Sequence, residues 1–425
     1  MPPRQPNRAA WVQAIADAEA QQQRGERRKG QEAIACLELA VAKYQEALGA
    51  GLPPDDVPDA LFGTGWCYQL AGDAVLHAAR SLPDDQVSWG TERVAREGAS
   101  DMYTRSCAAY QQVLDDDGHI RDDAAVNCGN ALCALAELLT EADGPGGGAP
   151  PGGVERACGA YEQAAGIYTA ALARVHDADA STWSNLADCV MSHAQLLHDS
   201  ASASGGQSDA AEAACRSALQ SYERSCSLCD STQGDDLPGL LCNWGSGLLA
   251  AASILRDPND RANALVQAGV QLTQSSGFAQ GDPEPLVKLG DVYSAQAEVA
   301  TQSGRLDESA TLLRRAIEDG YTKAITLRRD CVEGLVGAAD AHAALAKLAA
   351  AEASRAAGAG AADAAQCVRA AAGAHWAGAL QNYNRALSRS TLLGSFGERC
   401  DVRFNAACAL ALAGQVEQVG CSFLP

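Results

Sequence analysis

The stretch Asn127-Cys128-Gly129-Asn130-Ala131-Leu132 decides the fold, because close variants of it return along the chain. Similar six-residue stretches begin at Asn185, Asn243 and Asn405, and each has Gly or Ala in third place. A small residue at a fixed place in a helix is typical of close contact between two helices. The repetition therefore predicts stacked helices that share a continuous core.

The composition also favours a helical array. The 425 residues are 47% apolar but only 5% aromatic, and they include 41 Gly and 15 Pro. Alanine is abundant and β-branched residues are sparse, which suits close-packed helices and disfavours sheets. An array can also accommodate a chain of this length without one large core.

Two helix types alternate along the chain. The first type, helix A, carries a small residue that we call the anchor, at Gly65, Gly129, Ala187, Gly245, Gly290, Ala339 and Ala407. The second type, helix B, carries a bulky residue four places after a small one, at Tyr44, Tyr110, Tyr168, Tyr222, Leu313 and Tyr383. We expect the bulky side chain to fill the space that the small residues leave.

This alternation resembles the tetratricopeptide repeat (TPR) family, whose unit is a helix hairpin of about 34 residues. The motifs that carry the resemblance are Gly65-Trp66-Cys67-Tyr68-Gln69-Leu70-Ala71-Gly72-Asp73 and Asn405-Ala406-Ala407-Cys408-Ala409-Leu410-Ala411-Leu412-Ala413-Gly414, which end on the family's inter-helix Gly. The resemblance covers roughly residues 31–414. It implies an all-α, right-handed solenoid of about seven hairpins, in which the A helices line a concave groove that binds an extended peptide or a partner helix.

The expected organisation has two parts. Residues 1–30 are predicted to form an N-terminal extension with one helix, and residues 31–425 the solenoid. Flexible insertions are predicted at 142–154, 200–208 and 355–362, where Gly, Ser, Ala and Pro accumulate. The C-terminal unit is expected to be incomplete, because only 11 residues follow Gly414.

The charge balance limits the class of partner. The formal net charge is −21, from 53 acidic and 32 basic residues. Such a field repels nucleic acid and anionic membrane surfaces. No run approaches the 18 or more apolar residues of a membrane-spanning helix. We therefore expect a protein or peptide partner, and neither nucleic acid nor a membrane.

Polar and acidic residues follow several anchors. These are Asn130, Asp188, Asp291 and Asp340, and further acids lie near helix A starts at Asp123 and Glu284. The hypothesis is an acidic groove in which these six residues contact a basic peptide or helix. The alternative is that acids at helix starts act as caps and that surface acids keep an Ala-rich protein in solution.

One TPR subset grips the C-terminal carboxylates of chaperones, and the resemblance allows a check for it. That clamp needs Lys one turn before the groove-facing Asn, where this chain has Val126 before Asn130. Acidic residues occupy the Asn place in other units. A chaperone tail is therefore not the expected partner.

Little in the sequence points to catalysis or to a cofactor. The 16 Cys lie beside Ala and Leu at core-like positions, so we expect free thiols in an intracellular reducing compartment, either the cytoplasm or an organelle. Cys226-Ser227-Leu228-Cys229 is a single CxxC, which leaves a thiol redox or zinc-binding module as the alternative function. Metalloprotease, esterase and phosphate-loop motifs are missing, so we expect a non-enzyme without a cofactor.

Overall fold

The computed structural model describes residues 8–115, 121–141, 152–174, 179–229, 236–393 and 395–413. Every regular element in these ranges is helical. In chain order the helices are α1 (Arg8–Glu26), α2 (Gly30–Gly49), α3 (Val57–Arg80), α4 (Trp89–Leu114), α5 (Arg121–Thr140), α6 (Gly153–Arg174), α7 (Ala180–Ala203), α8 (Asp209–Leu228), α9 (Leu237–Ile254), α10 (Pro258–Phe278), α11 (Glu284–Gln302), α12 (Leu306–Arg315), α13 (Thr322–Leu327), α14 (Val332–Gly358), α15 (Ala362–Leu387) and α16 (Phe396–Leu412). A π-helical turn, Ala316–Tyr321, joins α12 to α13.

Consecutive helices pack as hairpins. The chain divides into two compact units, Met1–Leu228 (unit 1) and Cys229–Pro425 (unit 2). In unit 1 the pairs are α1 with α2, α3 with α4, α5 with α6 and α7 with α8, and α2, α4 and α6 each also contact the helix that follows them. In unit 2 the pairs are α9 with α10, α11 with α12 and the π turn, and α14 with α15. The predicted all-α, TPR-like helical-repeat fold is confirmed.

The anchors explain why the helices pack so closely. A Cβ atom at Gly129 would lie 2.4 Å from Cζ of Tyr168, and one at Gly65 would lie 2.8 Å from Cε1 of Tyr110. Real side chains do not approach so closely, so the aromatic ring occupies the volume that a side chain would need. The expected contact between anchor and tyrosine is therefore present in both hairpins.

Two hairpins fill that space differently. Gly245 of α9 faces Leu272, whose Cγ would lie 2.6 Å from an added Cβ. Gly290 of α11 faces Tyr321, whose Cε1 would lie 2.5 Å from an added Cβ. The sequence pattern predicted that Leu313 would fill this space. Leu313 is buried in the same core. The π turn changes the helical register between these two residues, and it is Tyr321 at its end that reaches the anchor.

Glycines end the helices next to two predicted insertions. α7 continues to Ala203, where Gly205 (φ 73°) turns the chain and the Gly206 N–H donates to the Ala201 carbonyl. α14 continues to Gly358, and Gly360 (φ 78°) leads into α15. The helices therefore occupy part of the predicted loops at 200–208 and 355–362, because the left-handed glycine sets each helix end. The described residues do not include 142–151, which make up most of the predicted insertion at 142–154. They also do not include the predicted incomplete end after residue 413.

The first helix joins the core of its neighbours. Ala14 and Ala18 of α1 are buried with Leu37 and Tyr44 of α2. A Cβ at Gly25 would lie 2.6 Å from Cγ of Leu37, so α1 also uses a glycine contact. The boundary predicted at residue 30 stays a proposal.

One helix qualifies the expectation about membrane spans. In the part of the chain that the structure describes, α9 is long and apolar enough to cross a membrane by length and composition. Its side chains Leu240, Leu241, Leu248 and Ile254 are buried. α9 packs against α10 and α11, as a core helix does.

Candidate functional site

Each polar residue that follows an anchor in the predicted set accepts a hydrogen bond from a tyrosine. The tyrosine comes from the helix or π turn that follows the A helix in the chain. The pairs of donor and acceptor are Tyr168 with Asn130 Oδ1 (2.6 Å), Tyr222 with Asp188 Oδ1 (2.5 Å), Tyr321 with Asp291 Oδ1 (2.8 Å) and Tyr383 with Asp340 Oδ1. These four A-helix residues therefore take part in the contact between their helix and the element that carries the tyrosine.

Accepting the tyrosine hydrogen bond needs an oxygen atom on the side chain but no charge. Asn130 accepts its bond through an uncharged amide. Gln22 and Gln69 do the same for Tyr44 and Tyr110, at 3.0 and 3.4 Å. The negative charges at the three aspartates are therefore not required for the tyrosine contact. Sequence reasoning assigned the tyrosines to the anchors and missed the polar residue that their hydroxyl groups reach.

Asn130 and Asp188 line one cavity between α5 and α7. Its volume is about 240 Å³. The wall consists of Asn130, Cys133, Ala134 and Glu137 of α5, Tyr168 of α6, and Asn185, Asp188, Cys189 and Ser192 of α7. Two of these side chains are acidic and none is basic. Ligand pockets for small molecules usually measure about 300–1,000 Å³, so this cavity fits a single side chain better than a whole drug-sized ligand.

A second cavity continues the first along α7. It measures about 490 Å³ and shares Ser192 with the first cavity. Its other lining residues are Thr140, Val154, Tyr161, Gln195, Leu196, Asp199 and Ser200. We call the two neighbouring cavities together the α5–α7 groove.

Burial determines the protonation chemistry of this groove. It raises the pKa of Asp188 to about 6, although the hydrogen bond from Tyr222 acts in the opposite direction. The pKa of Glu137 is also raised, first by burial and then by Glu141, with Arg80 opposing. A basic group that entered the cavity would favour the ionised carboxylates.

The Cys133 thiol in the cavity wall is a poor nucleophile. The pKa of Cys133 is raised by its hydrogen bond with Cys189 and by burial. Cys189 is 2% exposed, and its thiol donates to the Tyr161 carbonyl at 3.4 Å. Because the thiolate is the reactive form, Cys133 contributes an uncharged, protonated surface at neutral pH.

Unit 2 carries a second pair of predicted residues on α11 and α14. The pKa of Asp291 is raised by burial, while the Tyr321 hydrogen bond and Lys288 oppose the shift and Asp340 adds to it. The pKa of Asp340 is also raised by partial burial of its carboxyl group, with Tyr383 and Lys347 opposing. The Asp340 carboxylate therefore acts electrostatically on Asp291 within unit 2.

The remaining predicted residues lie apart from the cavity. Asp123 and Glu284 are exposed in the first turns of α5 and α11. The backbone N–H of Glu284 donates to Asp282 Oδ1 at 3.1 Å. Acids in a first helical turn interact favourably with the helix dipole, which accounts for both without a ligand.

The alternative thiol site does not form a metal cluster in the described part of the chain. Cys226 lies in the last turn of α8, Cys229 follows that helix, and both are half-buried. No three His, Cys, Asp or Glu side chains among the described residues converge as metal ligands.

Among known proteins, the chain resembles solved structures at low sequence identity. No protein-family model and no curated protein matches the chain. The S. pombe nuclear import adaptor Nro1 is 13% identical, covers 83% of this chain and 99% of its own, and has a TM-score of 0.46. A human IFIT1 dimer with PPP-AAAA is 12% identical, with coverages of 91% and 85% and a TM-score of 0.31. The P58(IPK) TPR domain is 13% identical, with coverages of 95% and 99% and a TM-score of 0.23. Matches at these identities and TM-scores carry no inference about what the chain does.

Proposed function

We propose that the chain is a non-catalytic protein-binding scaffold, and that the α5–α7 groove binds an extended peptide with a basic side chain. The observation that carries this proposal is the cavity that brings Asn130 and Asp188 together. Both residues accept a bond from a tyrosine, yet only Asp188 carries a charge. The charge of Asp188 therefore calls for an explanation other than helix packing.

The polar groups of the groove suit a peptide backbone. An Asn side chain can donate to a peptide carbonyl and accept from a peptide N–H. In Asn130, Oδ1 accepts from Tyr168, which leaves the Nδ2 amide as a donor at the cavity wall. Asn185 lines the same wall one turn before Asp188. The adjoining cavity extends the groove, so an extended segment fits better than a compact ligand.

The charge of the groove favours a Lys or Arg side chain. Asp188 and Glu137 line the cavity without a basic residue in its wall. A partly buried carboxylate is destabilised by lost hydration, and a cation placed beside it offsets that loss. We infer that a basic side chain enters beside Asp188 while the peptide backbone lies against Asn130 and Asn185.

Other predicted residues take secondary places in this proposal. Asp291 and Asp340 form a second acidic subsite within unit 2, and Asp123 and Glu284 supply long-range attraction for a basic partner. Neither a nucleic acid nor a membrane nor a chaperone tail is proposed as the partner. The reducing intracellular location remains part of the proposal, because no disulfide joins the described cysteines.

A fixed-position peptide library tests the partner class. Ten-residue peptides are randomised except at one position, which holds Lys, Arg, Glu or norleucine, and they are incubated with the immobilised protein. We expect Lys and Arg peptides to be retained at least about tenfold better than norleucine peptides, a difference of about 1.4 kcal/mol in binding free energy. The preference should fall with added salt, because it rests on charge.

Two variants make this test specific to the groove. Asp188→Asn should abolish the preference for Lys and Arg. Glu223→Gln removes one exposed charge from α8 outside the cavity and should leave the preference unchanged. Retention of Glu peptides, or the same Lys preference in Asp188→Asn, would refute a basic ligand at this place.

A further inference from the structure

Two histidines meet between α14 and α15 in unit 2. The Nδ1 atoms of His342 and His375 are 3.3 Å apart, and the ring centroids are 5.5 Å apart. The ring centroids are farther apart than the two Nδ1 atoms, so the Nδ1 atoms lie between the rings and face each other. The contact is separate from the peptide site proposed in unit 1.

The contact requires that at least one ring is neutral. A neutral imidazole has one N–H donor and one acceptor nitrogen, whereas an imidazolium has two donors and no acceptor. One ring of the neutral pair therefore donates its Nδ1–H to the Nδ1 lone pair of the other. When both rings are protonated, two N–H groups and two positive charges oppose each other at this distance.

The surroundings of the pair disfavour protonation. The pKa of His342 is lowered by burial and then by His375. The pKa of His375 is lowered by burial and then by the Arg314 guanidinium of α12. The nearby charged groups of α14, Asp340 and Lys347, interact with each other. Among the described groups that act on the rings, none is a carboxylate that favours the imidazolium.

The pair lies beside the core that joins the two helices. A Cβ at Gly378 would lie 3.2 Å from atoms of the His342 ring, so α15 approaches the ring closely at a residue without a side chain. Trp376, next to His375, is buried with Ala346 and Ala379 in the core between α14 and α15. A disturbance at the histidines therefore reaches packed side chains directly.

We propose that the His342–His375 contact is an acid-sensitive latch, which holds α14 against α15 at neutral pH and releases this helix pair on acidification. An opened pair has histidines of ordinary pKa, 6.5, and therefore binds protons before the closed pair does. The stabilisation is complete above that value and is lost as the pH falls below it. Each unit by which a pKa is lowered in the closed form corresponds to a tenfold change in the opening equilibrium.

Hydrogen exchange of the full chain at pH 7.5 and pH 5.0 tests the latch, with EDTA present and with correction for intrinsic exchange rates. We expect the opening of α14 and α15 to increase at least about tenfold at pH 5.0, because the opened pair binds protons more readily than the closed pair. The double variant His342→Gln and His375→Gln cannot be protonated at these positions, and its acid response should fall below about twofold on the same scale. The matched control His198→Gln changes a histidine of α7 and should respond as the original chain does.

Each result bears on the proposal. An equal acid response in the original chain and in the double variant would overturn the latch, and so would an unchanged opening of α14 and α15 between the two pH values. If the double variant does not keep its helical circular dichroism, the single variant His375→Gln replaces it, because that change alone removes the like charge facing His342. A full acid response in the single variant would likewise overturn the proposal.

Discussion

Asp188→Asn separates the two roles of this residue, because the two side chains have nearly the same shape. The amide can still accept the hydrogen bond from Tyr222, as Asn130 accepts one from Tyr168. Only the charge is removed. We therefore expect the variant to keep the contact between α7 and α8, to become more stable at neutral pH, and to lose its preference for basic peptides.

The size of the stabilisation follows from the pKa of Asp188. Burial raises that pKa from 3.8 to about 6 in the folded chain. The folded state consequently binds the proton more tightly than the unfolded state, so stability falls as the pH rises from 3.8 through 6 and stays lower above that range. Two pKa units correspond to a ceiling of about 3 kcal/mol. Asp188 is only partly buried and its charged hydrogen bond is lost in the variant, so we expect about 1–2 kcal/mol.

The assay must report on individual helices, because helical arrays need not unfold in one step. Native-state hydrogen exchange of α7 and α8 should slow about 5–30-fold in Asp188→Asn at pH 7.5, the factor that corresponds to 1–2 kcal/mol. At pH 4 the two proteins should differ by less than about threefold, since Asp188 is then largely protonated in the folded chain and about half protonated in the unfolded chain. The mirror variant Asn130→Asp introduces a charge at the matching place of α5 and should accelerate exchange there at pH 7.5.

Two outcomes would refute this reasoning. Faster exchange of α7 and α8 in Asp188→Asn at pH 7.5 would mean that the charge itself stabilises the helix pair. An equal gain at pH 4 and pH 7.5 would mean that the gain does not come from ionisation. Glu223→Gln, which removes an exposed charge from α8, serves as the control and should leave exchange unchanged.

Three further predictions concern the packing and the thiols. Gly129→Ala should destabilise the α5–α6 hairpin by about 1–3 kcal/mol, because its Cβ would lie 2.4 Å from the Tyr168 ring; urea unfolding checks this, with Gly166→Ala, which has open space, as a control that should be neutral or gain up to about 1 kcal/mol. Tyr222→Phe should move the pKa of Asp188 above its present value of about 6, because the tyrosine hydrogen bond lowers it; an NMR titration of the carboxyl carbon that showed a lower value would contradict the assigned cause. Alkylation with limiting iodoacetamide should reach exposed Cys367 well before buried Cys67, since burial raises the pKa of Cys67 to about 12; selective early labelling of Cys226 and Cys229 would instead favour the thiol module.

The fold could be predicted from the sequence because its determinants are local and repeated. A small residue and a tyrosine recur at readable positions, and Gly129 with Tyr168 shows that the pattern reports a real contact. Tyr321 could not be assigned in the same way. A π turn of six residues changes the spacing between the buried Leu313 and the residue that reaches Gly290, and nothing in a 3.6-residue periodicity predicts that turn.

The site was predicted less completely, because it depends on distances between helices. The sequence placed Asn130 and Asp188 in a groove, but Glu137, Asn185 and Ser192 became visible as lining residues only once α5 and α7 were packed. The hydrogen bonds from tyrosine to Asn130 and to Asp188 span 38 and 34 residues of sequence, respectively. Such variable separations leave no fixed motif to find.

The contrast between Asn130 and Asp188 bears on why the chain is acidic. Exposed acids such as Asp123 keep an Ala-rich surface in water, and solubility accounts for them. Asp188 is different, because burial raises its pKa and its charge lowers the stability of the helix pair at neutral pH. An amide at the equivalent place of α5 makes the tyrosine contact without that loss. We propose that a basic peptide in the α5–α7 groove offsets this loss when it binds beside Asp188.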